Sequence, residues 1–459
     1  TFPKIIYESW KMLYIEPDMH LYIPFHLIVI ATISFLIVMC FTTYYVCHQS
    51  MKEVPSQLLR PASPKLGKST FIERIGFIWN HLSFTWKVTV RNLLRYKRRL
   101  IMTVIGVGGC SALMVIGFGI RDSINQMVKL QFTDITHYDG SAKINAEISS
   151  EDKNALIETV NTDKGVASNL TAVSYTGSVT FNDEDETVLT QVFENNAEIE
   201  QLYTLRTRKG HQPIPLTDEG IIISEKLSED LNIHVGDAVT IESKKGVRKK
   251  VQVSGICEMY IQHYAFISKP LYEKLFDTTL EDDTMFITSS TDDSTQLQKM
   301  LANDSHIDSI SFYDVTLENF NQMVSTLNYI IIVLIVSSMA LAFVVLGNLM
   351  NINISERQRE IATLKVLGFR KKEVQSYVYK ENNVLTLLGS IAGLPLGIAI
   401  HHWIMRELQF SYVMYGVDVM PLSLFLSVIL TVAFGILVNL LMRKKLSAIE
   451  MVESLKSVE

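Results

Sequence analysis

Five apolar runs, 21–47, 101–120, 328–350, 384–404 and 421–441, most constrain what this chain can fold into. Each reaches roughly the 20 residues that a helix needs to cross about 30 Å of hydrocarbon. Each is also nearly free of charge, whereas a helix in a water-soluble protein shows polar residues on its outer face at every turn. The first run is not a signal peptide, because it is long, starts well inside the chain and follows neither a basic segment nor Met. The expected class is an α-helical integral membrane protein with five transmembrane helices.

The charges between the runs set an orientation, since short cytoplasmic segments collect Lys and Arg. Segments 48–100, 351–383 and 442–459 carry 11, 7 and 4 basic residues against 2, 4 and 3 acidic ones, whereas 121–327 carries 17 basic and 34 acidic residues. The three basic segments are therefore expected in the cytoplasm and 121–327 outside. Residues 1–20 then read as the end of a preceding extracytoplasmic segment, and the carboxyl end is cytoplasmic. Because Thr1 opens the chain shortly before a span, the chain reads as the carboxyl-terminal part of a longer polypeptide. The net charge of −6 argues against a nucleic-acid binder, whose surface is basic.

Residues 121–327 are long enough for one or two cores and read as a large α+β domain. Glu219–Leu227 reads as a strand running into a helix, while Val235–Ile241 and Lys250–Ile256 read as strands of a small barrel or sandwich lobe. Arg121–Gln131 and Asp314–Leu327 read as helices that prolong the adjacent spans outward. Signals for chemistry are absent. His211, His234, His263 and His306 lack metal-ligand spacing, and the four cysteines fit neither a zinc site nor a disulfide framework. Asp183-Glu184-Asp185-Glu186 reads as a solvated hairpin tip, although such a run can also hold a cation. Asn169-Leu170-Thr171 matches a glycosylation sequon, relevant only in a eukaryote. Gly67-Lys68-Ser69 is similar to the end of a phosphate loop, but Ala62 stands where that motif needs Gly. No catalytic residue, metal site or bound cofactor is expected.

Two patterns carry more information. Gly389, Gly393 and Gly397 lie four residues apart and form a smooth helix face that allows close approach of another helix in lipid. Directly after the 328–350 span comes Ser355–Val374, expected to form a helix that ends at Gly368. In it Ile361, Leu364 and Leu367 recur at three-residue spacing beside Glu356, Arg357, Arg359, Glu360 and Arg370. Such an apolar edge suits a groove on a partner protein, and a helix lying on the membrane surface is the alternative. Lys87, Arg91, Arg95 and Arg99, near Trp79 and Trp86, read as a basic juxtamembrane helix at the lipid headgroups.

The run Glu356-Arg357-Gln358-Arg359-Glu360-Ile361-Ala362-Thr363-Leu364-Lys365-Val366-Leu367-Gly368-Phe369-Arg370 resembles the cytoplasmic coupling segment of the FtsX-like permeases of MacB-type, or type VII, ABC transporters. Leu387–Gly397 is similar to that family's glycine-rich third span, residues 219–275 to its extracytoplasmic core domain, and Arg443–Glu453 to its basic carboxyl end. The resemblance implies a four-span unit with its large outer domain between the first and second spans, which 101–441 supplies. It further implies that 21–47 is the last span of an earlier unit in a duplicated permease.

A chain resembling this family is expected to be a permease subunit in a bacterial plasma membrane, without an ATPase of its own. Its implied partners are a dimer of ABC ATPase subunits that bind the ATP, the lipid bilayer, and an extracytoplasmic protein or peptide. Glu356, Arg357, Arg359, Glu360 and Arg370 would make charged contacts with the ATPase, and Leu364, Leu367 and Phe369 would fill its groove beside the Gly368 stop. ATP-driven movement would then pass to the outer domain, a mechanism called mechanotransmission, for peptide or lipoprotein export or for control of a cell-wall hydrolase. The alternative is a membrane sensor of an antimicrobial peptide or cell-wall ligand acting with a two-component kinase.

Overall fold

A computed structural model describes residues 25–51, 97–291, 294–356, 358–408 and 412–443, together with Asn80, Trp86, Lys87, Val90 and Arg91. Arg357, Trp79, Arg95 and the tail beyond Arg443 lie outside the described residues. Five helices are long and apolar enough to cross a membrane, and they fall into two units divided after Ile101.

In the first unit, helix α1 (Phe25–Met51) is largely apolar and exposed from Phe25 to His48. Two of its hydroxyls are satisfied within the helix, as Thr32 donates to Ile28 O at 2.8 Å and Thr42 to Val38 O at 2.7 Å. That is how a hydroxyl is accommodated where no water competes.

The second unit contains four long helices and a domain carried on two of them. Helix α2 (Lys97–Lys129) runs past the end of its apolar stretch and closes in a π-helical turn, Leu130–Ile135. There follow β1 (Gly140–Ile144), α3 (Ser150–Thr162), β2 (Val166–Phe181), β3 (Glu184–Phe193), α4 (Asn196–Leu202), β4 (Ile221–Ser224), α5 (Glu225–Leu231), β5 (Ala238–Glu242), β6 (Arg248–Cys257), β7 (Tyr264–Ser268), α6 (Lys269–Phe276), β8 (Thr284–Ser289), α7 (Thr295–Ala302) and β9 (Ile307–Phe312). The chain returns through α8 (Tyr313–Glu356), then α9 (Gln358–Val366), α10 (Lys371–Glu407) and α11 (Pro421–Leu441).

The domain has two lobes that share strand β2. Strands β2, β3, β7, β4, β6 and β5 pair in that cyclic order, so the first lobe is a closed six-stranded barrel. Closure removes sheet edges, and Val179, Val188, Ile223, Val239, Ile241 and Val253 fill the interior. The first half of β2 instead pairs with β8, and β8 with β1 and β1 with β9. With α3 and α7 packed on one face through Leu156, Val160, Leu297 and Leu301, this second lobe is a ferredoxin-like β-α-β repeat into which the barrel is inserted. The acidic run sits at the β2–β3 turn, where Asn182 (φ 50°) and Asp183 (φ 66°) take the two left-handed positions of a type I′ hairpin. A third core of aromatic side chains, including Tyr138, Phe193, Tyr203, Phe266 and Phe286, joins both lobes to the outer ends of α2 and α8. Phe132 of the π-helical turn and Tyr313 of α8 meet edge to face at 4.9 Å.

The helix bundle has its polarity reversed relative to a soluble protein. On α11, Ser423, Ser427, Thr431, Gly435 and Asn439 point inward, whereas Leu422, Phe425, Ile429, Ile436 and Leu440 are exposed. In water each such apolar side chain forfeits about 1.5–3 kcal/mol that burial would bring. A surface of them is stable only against lipid. The molecule is a membrane protein with a folded α+β domain carried at one end of its helix bundle.

Candidate functional site

The short helix α9 lies at the end of the bundle remote from the β-domain, between the end of α8 and the start of α10. Its termination is fixed by three backbone bonds. Leu367 N–H donates to Thr363 O at 2.9 Å, Gly368 N–H to Lys365 O at 3.1 Å and Phe369 N–H to Leu364 O at 3.2 Å. The last two make a Schellman motif around Gly368 (φ 89°), a conformation that an L side chain strains. Helix α10 then starts at once, with Arg370 N–H donating to the Glu373 carboxylate at 2.8 Å, the backward half of a capping box.

The expected apolar edge divides. Ile361 is buried among Leu346, Leu349, Met350 and Ile354 of α8, Val374 and Val378 of α10, Val438 of α11 and Val107 of α2, and Leu364 packs half-buried against the same cluster. Leu367 is 70% exposed, Val366 59% and Phe369 50%. The seated helix therefore presents a compact apolar tip around the Gly368 turn. Arg370 is exposed beside it. The side chains of Glu356, Arg359 and Glu360 lie outside the described placements, as does the whole of Arg357.

The support behind α9 is closely packed. A Cβ placed on Gly389 would lie 2.8 Å from Val107 Cβ, on Gly393 2.3 Å from Gly108 O, and on Gly397 2.7 Å from Val115 Cβ. The three glycines thus bring α10 against α2 almost backbone to backbone, and Ser111 Oγ donates to Ser390 O at 3.0 Å across the contact. On its other side α10 is joined to α11, where the Asn382 amide donates to Asn439 Oδ1 at 2.7 Å and the Asn439 amide to Asn383 Oδ1 at 2.6 Å. Arg443 Nε donates to Gln375 Oε1 at 3.0 Å.

At the opposite end the bundle and the domain are tied together at a place that sequence reasoning passed over. The connection between α10 and α11 is built into the domain, with Val413, Met414 and Tyr415 buried in the aromatic core. Val413 bridges Ile261 of the β6–β7 linker, and Met420 N–H donates to Asp122 of α2 at 3.0 Å. The available signal was Tyr412-Val413-Met414-Tyr415, an apolar run too short to cross lipid and out of place in a solvated turn. Beside it, Glu258 is buried, accepting from Arg206 Nε at 2.7 Å and from the Tyr260 hydroxyl at 2.6 Å. Burial pushes the nearby Glu225 carboxyl above the usual range, opposed by Arg208.

Among the described residues no three His, Cys, Asp or Glu side chains gather to hold a metal ion. The geometry offers a firmly mounted apolar tip at one end, an α+β domain packed on the helices at the other, and long helices between them.

Comparison with known proteins gives two family matches. Residues 100–304 match the MacB-like periplasmic core domain, and residues 332–451 match the FtsX-like permease C-terminal domain. An uncharacterised ABC transporter permease of Methanocaldococcus jannaschii is 27% identical over 184 residues, 37% of this chain and 44% of that protein. The uncharacterised ABC transporter permease YknZ of Bacillus subtilis is 26% identical over 190 residues, 38% of this chain and 47% of that protein. The chain thus spans less than half the length of these relatives. The crystal structure of the extracellular domain of YknZ, a noncanonic ABC-type transporter from Gram-positive bacteria, aligns at 14% identity and a TM-score of 0.25, over 38% of this chain and 98% of that one.

Proposed function

The chain belongs to the FtsX-like permease family of MacB type, and we propose that it is the transmembrane subunit of an ABC transporter driven by a separate ATPase subunit. The observation that carries this reading is the tip of α9, where Val366, Leu367 and Phe369 are exposed while Ile361 and Ala362 of the same helix are locked in the bundle core. Three large apolar side chains exposed around the Gly368 turn make the kind of patch that a protein contact covers. A helix with one face fixed transmits force better than one lying loose on lipid. In this reading Leu367 and Phe369 enter the ATPase groove, Leu364 backs them, and Glu356, Arg357, Arg359, Glu360 and Arg370 supply the charged contacts.

The tip faces the cytoplasm, the carboxyl end is also cytoplasmic, and the extracellular domain lies beyond a plasma membrane. ATP binds only the partner, and this chain carries no catalytic step. Closure of an ATPase dimer displaces α9. Helices α8 and α10 carry the displacement, α2 follows because the glycine contact couples it to α10, and the domain moves on its helices and on the α10–α11 connection. The cargo is a peptide or lipoprotein, or the moving domain controls a cell-wall hydrolase.

The test is a tagged full-length chain purified with its complex in mild detergent. An ABC ATPase is expected to copurify with the native chain and to be lost from Leu367→Asp and Phe369→Asp, with membrane insertion unchanged. Equal recovery from the variants would remove the tip from the interface.

A further inference from the structure

Gln131 is 3% exposed, within the π-helical turn that ends α2. Helical segments of this kind are rare and are frequent at functional sites. The turn closes through Thr136 N–H donating to Gln131 O at 3.0 Å. The Gln131 side-chain amide donates to Thr136 Oγ1 at 3.1 Å and approaches Met259 Sδ at 3.6 Å, while its Oε1 accepts from Tyr260 N–H at 2.9 Å. Both ends of one buried amide are thus engaged, and one end holds the β6–β7 linker of the barrel.

The same linker is gripped from its other side. Tyr260 O accepts from Met414 N–H at 2.8 Å, and Gln262 N–H donates to Tyr412 O at 2.7 Å, both partners lying in the α10–α11 connection. Residues 259–262 therefore join α2, the barrel and the outer ends of α10 and α11. A site that needed only to be filled would take Leu or Met, which bury no polar group. A buried amide spanning two elements instead fixes their relative position.

We propose that Gln131 is the positioning residue through which displacement of α2 reaches the barrel, the π-helical turn being the joint and the bond from Tyr260 N–H to Gln131 Oε1 the latch. This rests on the permease reading above. Without the latch, α2 moves while the linker follows only the α10–α11 connection, so the effect of nucleotide binding at 256–264 falls.

The experiment is amide hydrogen exchange on the complete complex with its ATPase in lipid nanodiscs, with and without a non-hydrolysable ATP analogue. In the native complex, exchange at both 358–369 and 256–264 is expected to change roughly threefold or more with nucleotide, as local opening shifts. In Gln131→Ala the change at 358–369 persists and that at 256–264 falls well below its native size. Gln131→Glu, which keeps the acceptor for Tyr260 N–H, retains it. Unaltered nucleotide-free protection of β4 and β8 shows that each variant is folded. If Gln131→Ala does not assemble, Gln131→Glu carries the test, and loss of its response at 256–264 in a folded complex overturns the latch. A response at 256–264 of undiminished size in Gln131→Ala overturns the latch and leaves the permease reading standing. No nucleotide response at 358–369 in the native complex overturns both.

Discussion

A methyl group on Gly393 would meet the Gly108 carbonyl oxygen at 2.3 Å and Ser111 Cβ at 2.9 Å. The nearer contact is backbone, so α2 and α10 must part to admit it. Gly393→Ala is expected to destabilise the protein in detergent by about 1–3 kcal/mol, the usual range for overpacking. Gly109→Ala, with no neighbouring atom within 4 Å, serves as the neutral control; equal melting temperatures for the two variants would mean that the glycine contact is loose. In the domain, Asp283 plays a comparable joining role, held by Lys143 of β1 at 2.7 Å and by Lys244 of the β5–β6 turn at 2.5 Å. Burial alone would raise its carboxyl, but the hydrogen bonds from the two lysines outweigh burial and hold it below the usual range. Stability from this group is fully present above the ordinary carboxyl value, about 3.9, and is lost as pH falls through the lower folded value. The difference in melting temperature between the native chain and Asp283→Asn should therefore shrink below about pH 4; a difference independent of pH would contradict the assignment.

Among the elements, α9 shows how far a sequence pattern reaches. Ile361, Leu364 and Leu367 are spaced by three, and at about 100° per residue each step turns the helix back by about 60°. Leu367 therefore lies about 120° from Ile361, by the same rotation per residue, and α9 already ends at Val366. One residue consequently packs inward and the other outward, although the spacing reads as a single edge. Gly368 itself is legible as a stop, because few residues other than Gly take the left-handed turn readily. Gly368→Ala is expected to cost about 1 kcal/mol in that turn, and roughly fivefold in affinity for the ATPase subunit if the turn is needed for docking. Titration of the purified chain with the ATPase measures this. An unchanged affinity would show that the turn has no part in binding.

For the molecule as a whole, the spans were legible because the thickness of hydrocarbon leaves few alternatives to long apolar helices. The long helices that carry the domain were legible for a related reason, since their polar continuations keep helical periodicity. Closure of the barrel was not, because it depends on β3 meeting β7, strands far apart in the chain and paired in parallel. Nor was the docking of Tyr412–Tyr415, whose partners in the β6–β7 linker lie in a distant part of the sequence. The candidate site divides in the same way: its place in the chain and its residue types are local information, whereas which residues remain exposed is decided by the helices packed around them. Force transmission from an ATPase depends on those exposed residues. A photo-crosslinking amino acid placed at Leu367 in the full-length chain, in native membranes, reports what they touch, with Trp403, exposed near the opposite end of α10, as the control position. A cross-linked product between Leu367 and an ABC ATPase is expected, and none from Trp403. Cross-links from Leu367 to lipid alone would contradict the coupling role of the α9 tip.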